Sequence, residues 1–317
     1  MMLRFAFVMP LFGGLLFVDA FRSPWTIGAY LLLFARLLPS FILGMHVSYH
    51  RPWFRSKALN RAMPAFVGFF FGQTIGSYWA HHLAMHHPED NAGEDLSSTR
   101  PFQRDNGWHL LIYMATFLVL GMPQLLVYFI KKGRTEIARR LFLQTAASWA
   151  IIGVLAYFDW AATLAVFVVP IVVARSGMMA GNWGQHAFCK EQGETTNTIG
   201  TTLLDTKHNR ECFNNGYHAL HHARQAMHWA ELPAKYEELR PTYAAEEAMV
   251  FRGVGTFQAI TFALILGRYE WLEQRLERFE GDERTPEERI AWMRDKVRPF
   301  PRVPVTEPAE TSVSLAA

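Results

Sequence analysis

The sequence predicts an all-α, integral membrane helical bundle that carries a polar helical cap. Half of the 317 residues are hydrophobic, and apolar runs long enough to span a bilayer fill the chain before residue 182. From about residue 270 onward the sequence is instead strongly charged. The net charge of +3 is too small to indicate a nucleic-acid partner, and a mildly basic chain suits an anionic membrane surface.

Six apolar runs are candidates for membrane helices. They cover residues 3–20, 25–45, 62–80, 108–130, 143–158 and 160–180. We expect the first two and the last two to cross the bilayer as hairpins, which gives four crossing helices. The run 3–20 is interpreted as a transmembrane helix rather than a signal peptide, because it has a single arginine and no clear small-residue cleavage site.

The other two runs are flanked by cytoplasmic sequence. Basic residues precede the run 62–80, and the densest basic loop of the chain, residues 131–140, follows the run 108–130. The positive-inside rule places both loops on the cytoplasmic face, so each of these runs has to begin and end there. We therefore expect two re-entrant or interfacial segments, the second broken into a shallow hairpin at the Gly-Met-Pro of residues 121–123.

The division of the chain into apolar runs and polar segments predicts its domain organisation. We expect one membrane-embedded domain over residues 1–299, with a cytoplasmic cap formed by about 46–107 and 182–299. The tail 300–317 is rich in Pro, Thr, Glu and Ser and is expected to be disordered.

Two segments of the cap carry further expectations. The apolar run 248–266 should pack against the cap or lie on the bilayer surface, and residues 270–298 predict a charged, exposed helical stretch whose second helix begins at Pro286. The two cysteines, Cys189 and Cys212, form no CxxC pair, which argues against a disulfide framework or a thiolate metal site.

Histidines are concentrated in four short stretches that follow apolar segments. Residues four apart share one face of a helix, and residues five apart remain close. The stretches are HxxxH (His46, His50), HxxxHH (His82, His86, His87), NxxxH (Asn182, His186) and HxxHH (His218, His221, His222).

These stretches predict a metal centre, because nine histidines and one asparagine exceed what one ion binds and suit two metals with open positions. Imidazole suits Zn, Cu, Fe and Ni, so the ligand type leaves the metal open. A hydrolytic zinc site uses three protein ligands, and His82-Leu-Ala-Met-His86 lacks the glutamate of HExxH.

The order HxxxH, HxxxHH, HxxHH, with a hairpin between the second and third boxes, resembles the membrane fatty acid desaturase and hydroxylase superfamily over residues 25–225. The resemblance implies a di-iron centre, O2 as co-substrate and an acyl or alkyl chain as substrate. The implied iron ligands are His46, His50, His82, His86, His87, His186, His218, His221 and His222, with Asn182 binding iron directly or through water. The second box has three residues between its first two histidines where many acyl desaturases have two, so the reaction subtype stays open.

The predicted function is O2-dependent oxidation of a fatty acyl chain, with desaturation as the first interpretation. Hydroxylation, and oxidative decarboxylation to a terminal alkene, are the alternatives with the same chemistry. A zinc-dependent membrane hydrolase and a histidine-rich metal transporter are more distant ones. Because the sequence contains no fused redox module, we expect a separate electron donor, a ferredoxin, rubredoxin or cytochrome, to dock on the cytoplasmic cap.

Other residues are expected to support the ligands and the substrate. Several acids lie near the boxes and could accept the distal N–H of a ligand imidazole: Glu89, Asp90, Glu94, Asp95, Asp205 and Glu211. Asp205 is preferred because its segment leads directly into the third box, and His81 is assigned to the second shell or to helix packing. Phe70 and Trp79 are expected to line an apolar channel that sets the position of the chain.

Overall fold

The structure is a computed structural model that describes residues 7–189 and 198–300, and it is mostly helical. In chain order its helices are α1 (Val8–Leu15), α2 (Pro24–His50), α3 (Lys57–Phe70), α4 (Ser77–His81), α5 (His87–Glu89), α6 (Gly107–Lys131), α7 (Thr135–Phe158), α8 (Trp160–Gln185), α9 (Lys207–Glu211), α10 (His218–Ala223), α11 (Leu232–Ala245), α12 (Phe257–Ile265), α13 (Tyr269–Glu273) and α14 (Pro286–Lys296). A 3-10 turn covers Asp19–Phe21, and π-helical turns cover His82–His86 and Leu164–Val168. Two strands, β1 (Thr202–Leu204) and β2 (Val250–Arg252), complete the described part.

Four of these helices, α2, α6, α7 and α8, are long and apolar enough to span a membrane, which confirms the predicted kind of fold and the predicted number of long helices. The set differs from the prediction in one member. The described part of the run 3–20 folds as α1, which has only 8 residues and is about 12 Å long, well short of the roughly 30 Å of a bilayer core. Residues 1–6 lie outside the described residues.

The fourth long helix is α6, which contains the run 108–130 without a break. The expected hairpin at residues 121–123 is therefore wrong. Proline is tolerated inside membrane helices where neighbouring packing compensates for the lost hydrogen bond, and Pro123 lies in such a helix. Gly121 serves packing rather than turning, since a Cβ added there would lie 3.3 Å from Nη2 of Arg175.

Both flanks of α6 nevertheless contact the polar cap. Before it, Arg104 donates hydrogen bonds to the Lys296 carbonyl (2.6 Å) and the Arg298 carbonyl (2.7 Å). After it, Arg134 donates to the Ala84 carbonyl (2.6 Å). The expectation that both ends of this apolar run lie on one side of the bilayer stays a prediction.

The run 62–80 folds as a helix, a turn and a second, short helix, and its re-entrant or interfacial placement stays a prediction. α3 is followed by a turn over residues 71–76 and then by α4, which leads into the second histidine box. Gly72 has a φ of 81° and touches α8 so closely that a Cβ would lie 2.3 Å from a backbone carbonyl oxygen. Phe71 stacks on Phe41 of α2 with ring centroids 4.4 Å apart, so this turn lies beside the interior of the bundle.

The ends of the long helices position the histidines. Arg22, before α2, and Asp159, before α8, form an ion pair, so both helices start at one end of the bundle and run in the same direction. At the other end α2 finishes at His50, and α8 finishes immediately before His186.

The cap contains a short sheet that the all-α prediction did not include. Strands β1 and β2 are parallel, with Leu203 opposite Phe251. The apolar run 248–266 thus becomes a strand followed by α12, which packs against α8 at Gly184, where a Cβ would lie 2.1 Å from the Phe257 carbonyl oxygen. This close contact ties the end of α8 to the cap.

The predicted start of the last helix is confirmed. α14 begins at Pro286 after a capping box formed by Thr285 and Glu288. The stretch 270–298 is less exposed than expected, because Arg289 is buried and pairs with Glu273 (2.7 Å). The expectation of a disordered tail falls, beyond residue 300, outside the described residues.

Candidate metal centre

Four segments bring the predicted histidines to one place. The end of α2 carries His46 and His50, and the residue after α8 is His186. The segment from α4 to α5 carries the second box, and α10 carries the third. Eight of the nine predicted histidines lie in two adjoining groups, with the rings of His87 and His222 4.7 Å apart between them, and His218 lies beside the second group.

The first group consists of His46, His50, His82, His87 and His221, whose candidate ligand atoms all lie within 4.8 Å of one another. The Nε2 atom of His46 is 2.9 Å from that of His221, and the Nε2 atom of His87 is 3.0 Å from that of His82. Two nitrogens bound at right angles to one ion, each roughly 2.1 Å from it, are about 3.0 Å apart. The spacing of these imidazoles therefore fits ligation of a single ion.

The second group consists of His86, His186 and His222, again with ligand atoms within 4.8 Å of one another. His218 adjoins it, because its Nε2 atom lies 3.1 Å from that of His186. The Nε2 atom of His222 is buried and has no hydrogen-bond partner among the described residues. A buried acceptor without a partner is unfavourable unless an ion or water binds it, so this group also fits a metal ion.

Imidazoles of the second group are oriented by hydrogen bonds at their other ring nitrogen. Nδ1 of His86 lies 2.6 Å from the Asp95 carboxylate, and Nδ1 of His222 lies 2.7 Å from that of Asp90. Nδ1 of His186 lies 2.9 Å from the carbonyl oxygen of Ile199. An acceptor at Nδ1 keeps the proton there and leaves Nε2 free to bind metal.

Asp205 does not have this role. It is exposed and pairs with the Arg252 guanidinium on the surface of the cap, and its backbone φ of 56° places it in a turn after β1. The acids that orient ligands, Asp90 and Asp95, follow the second box in the sequence.

Asn182 and His81 both lie beside the histidines. The Asn182 amide donates to the Ser97 carbonyl (2.9 Å) and to the Tyr113 hydroxyl (2.7 Å), so its nitrogen holds neighbouring segments together. Its role as a metal ligand stays a prediction. The His81 ring is parallel to that of His86, at 6.1 Å between centroids, and packs edge-on against Phe117.

Burial favours the neutral form of most cap histidines. It lowers the pKa of His82, His218, His221 and His222 well below 6.5, and neighbouring imidazoles lower it further. Burial also lowers the pKa of His86, but the Asp95 carboxylate outweighs it and the net direction is upward. Neutral imidazole is the form that binds metal.

A cavity of about 210 Å³ leads from the histidines between α2 and α8. Its apolar walls include Leu38, Ile42, Leu43, Met178, Met179 and Phe257, and its other walls include His46, His82, His86 and His218. A second, more polar cavity of about 280 Å³ lies on the other side of His46 and is lined by Arg51, Trp53, Gln225 and His228.

Phe70 and Trp79 do not line the apolar cavity, so their predicted contact with substrate is not supported. Phe70 faces away from it and packs against Phe66 and Phe167 (ring centroids 5.3 and 5.7 Å apart). Trp79 packs with residues of α6 and α7, on a different side of α4 from Tyr78. Sequence gives the apolar character of these residues but not the rotation of their helices.

The fold and the histidines together define a class: a membrane protein with a buried polyhistidine site able to hold metal ions. A family model described as fatty acid desaturase matches residues 23–253, nearly three-quarters of the chain, and the chain belongs to this family. Membership implies an oxidoreductase that acts on fatty acyl chains. No curated protein and no solved structure matches the chain.

Proposed function

We propose that this protein is an O2-dependent di-iron oxidase that removes hydrogen from a fatty acyl chain, with desaturation as its reaction. The observation that carries the proposal is the position of two adjoining imidazole groups at the end of a long, mostly apolar cavity. A saturated chain has no polar group at the reacting carbon, so an apolar cavity has to position the chain.

The number and type of ligands favour two iron ions over one zinc. Five histidines form the first group, three form the second, and His218 adjoins it, whereas a catalytic zinc site uses three protein ligands. Bound iron would supply the activation of O2. The overall change is –CH2–CH2– plus O2, two electrons and two protons, giving –CH=CH– and two waters.

The protein's own residues would orient and shield this chemistry. Asp90 and Asp95 hold His222 and His86 with Nε2 turned toward the site. The cavity between α2 and α8 would hold the chain and exclude water from it. Asn182, whose amide nitrogen is engaged by Ser97 and Tyr113, would bind iron directly or through water by its remaining oxygen.

We further propose a multi-pass membrane protein with its site on the cytoplasmic face. The segment 51–61 contains Arg51, Arg55, Lys57 and Arg61 and no acid, and all four are exposed, as the positive-inside rule expects. A separate ferredoxin, rubredoxin or cytochrome would deliver electrons on this side, beside the polar cavity that Arg51 lines.

The test combines metal analysis with product analysis. The purified protein should contain about two irons per chain, as expected for two groups of this kind. Reconstituted with a reductase and each donor in turn, it should oxidise a saturated acyl chain only when O2 is present. Gas chromatography distinguishes an unsaturated product from an alcohol or from an alkene one carbon shorter. One zinc per chain, with turnover that persists without O2, would refute the oxidase.

A further inference from the structure

Arg104 is a fully buried arginine in the loop between the second histidine box and α6. Main-chain carbonyl oxygens of three separate segments surround its guanidinium. Nε donates to the carbonyl of Ala187 (2.7 Å), and Nη2 donates to those of Lys296 (2.6 Å) and Arg298 (2.7 Å). Nη1 donates to carbonyls of its own loop, those of Thr99 (3.3 Å), Arg100 (3.4 Å) and Phe102 (3.3 Å). Burial of this charge is tolerated because each nitrogen of the guanidinium has a partner.

The main chain of Arg104 joins the same parts of the protein. Its N–H donates to the Val297 carbonyl (2.8 Å), and its carbonyl accepts from the indole N–H of Trp183 (2.8 Å), a fully buried residue near the end of α8. The centre of the Phe300 ring lies 5.0 Å from Cζ of Arg104. The loop 99–104, the end of α8 and the segment 296–300 therefore meet at one residue.

The contact with Ala187 bears on the second histidine group. Ala187 follows His186, and the His186 carbonyl accepts from the Thr99 hydroxyl (2.9 Å). α8 ends just before His186, so the loop 99–104 rather than a continuing helix holds the backbone on either side of this carbonyl. The direction of the His186 ring depends on that backbone, and with it the position of one candidate metal ligand.

Resting on the proposed function, we propose that Arg104 is a positioning residue of the second histidine group, and that through it the segment 296–300 supports the metal centre. Arginine suits this role because its planar guanidinium has five N–H donors in a fixed arrangement and can bind three segments at once. A lysine ammonium is a compact donor on a flexible stem and cannot replace all of these contacts. A metal ligand has to lie within about 0.2 Å of its bonding distance, so small shifts of His186 matter.

This role predicts an effect on one histidine group only. The first group takes its histidines from α2, the second box and α10, whereas the guanidinium holds the residue that follows His186. Loss of the guanidinium should therefore weaken metal binding at the second group and leave the first group close to wild type.

The test is anaerobic titration of the metal-free, full-length protein in nanodiscs with Fe2+, followed by Mössbauer spectroscopy. The wild type should bind two ions, and Arg104→Lys should bind the second about tenfold more weakly while keeping the first. Millimolar guanidinium should restore the second ion in Arg104→Ala, because the free ion supplies the same donors and fits the space left by the side chain.

The matched control is Arg289→Lys. Arg289 is also buried, and its guanidinium joins α14 to Glu273 of α13 (2.7 Å) at a contact that involves no histidine. This variant should have a lower melting temperature, since it loses a buried contact of the cap, but it should keep both ions with wild-type affinity.

Hydrogen–deuterium exchange of the metal-free proteins measures the same support without iron. The peptide 180–189 should exchange faster in Arg104→Ala than in the wild type, and at the wild-type rate in Arg289→Lys. Should the Arg104 variants fail to fold, Phe300→Ala, which removes the ring beside the guanidinium, should weaken the second ion and not the first.

Wild-type affinity for both ions in Arg104→Lys and Arg104→Ala, unchanged exchange of the peptide 180–189, or the same loss of iron in Arg289→Lys would overturn the inference. If the Arg104 variants do not fold, wild-type affinity for both ions in Phe300→Ala would overturn it as well. A wild type that binds no second ion would count against the proposed di-iron site, whereas the exchange measurement would still decide the role of Arg104.

Discussion

Replacing Asp95 with asparagine should weaken metal binding at the second histidine group. The carboxylate is fully buried and accepts from His86 Nδ1 (2.6 Å), Ser97 N–H (2.7 Å), Ser97 Oγ–H (2.6 Å) and Asn91 N–H (3.1 Å). Asparagine keeps one acceptor oxygen but places an NH2 against at least one of these donors. It also removes the negative charge that makes His86 a stronger ligand.

The expected magnitude follows from this geometry. Loss of a hydrogen-bonded carboxylate behind a metal-bound histidine typically costs roughly 10–100-fold in metal affinity, or about 1.4–2.7 kcal/mol. Only His86 depends directly on Asp95, and the five histidines of the first group keep their arrangement. Asp95→Asn should therefore lose iron from one of two positions, and content should fall from about two to about one per chain when iron is limiting.

The assay is iron analysis with Mössbauer spectroscopy at controlled free iron, with circular dichroism as the check of folding. Asp205→Asn is the matched control, because Asp205 contacts Arg252 on the surface and no histidine. An Asp95→Asn protein that folds and retains both irons with wild-type affinity, or an equal loss of iron in Asp205→Asn, would refute the reasoning.

Three further predictions concern the proton, the turn and the cavity. Burial lowers the pKa of His186 to about 3, so as pH falls from 6.5 toward 3 this residue binds a proton in the unfolded chain but not in the folded one. The metal-free protein should therefore lose stability over this range, by about 2 kcal/mol for this residue at pH 5. Thermal unfolding in a chelator at a series of pH values should show the loss, and a flat profile would contradict it. Gly72→Ala should lower the melting temperature and the folded yield, because its Cβ would lie 2.3 Å from a backbone oxygen at positive φ, whereas Gly14→Ala, with nothing within 4 Å, should be neutral. Leu43→Trp should shift turnover toward shorter chains by filling the apolar cavity, and Phe70→Ala should not, as substrate competition assays would show; equal shifts in both variants would contradict this assignment of the cavity.

The histidines could be predicted from sequence because their signal is local. Residues three to five apart on a helix share a face whatever the rest of the chain does, and all nine predicted histidines lie in or beside the two groups. The acids that orient them depend instead on loop geometry. Asp90 reaches His222 from a left-handed backbone position, with φ 52°, across a sequence separation of 132 residues.

For the membrane segments, too, local features could be predicted from sequence and features set by distant contacts could not. Apolar length predicted the long helices, whereas the return of the run 62–80 to its starting side stays a prediction. Helix rotation is decided by packing between distant segments, which is why Phe70 faces α8 instead of the apolar cavity. The proline rule failed at residues 121–123, where the glycine makes room for a guanidinium on another helix.

The π-helical turn at His82–His86 explains how one sequence box serves both histidine groups. In a regular α-helix His82 and His86, four apart, would share a face and His87 would turn away. Here the His87 N–H bonds to the His82 carbonyl, five residues back, which brings His82 and His87 together with their Nε2 atoms 3.0 Å apart. His86 is thereby directed to the second group and to Asp95. The backbone irregularity, rather than the histidine count alone, divides the second box between the two histidine groups.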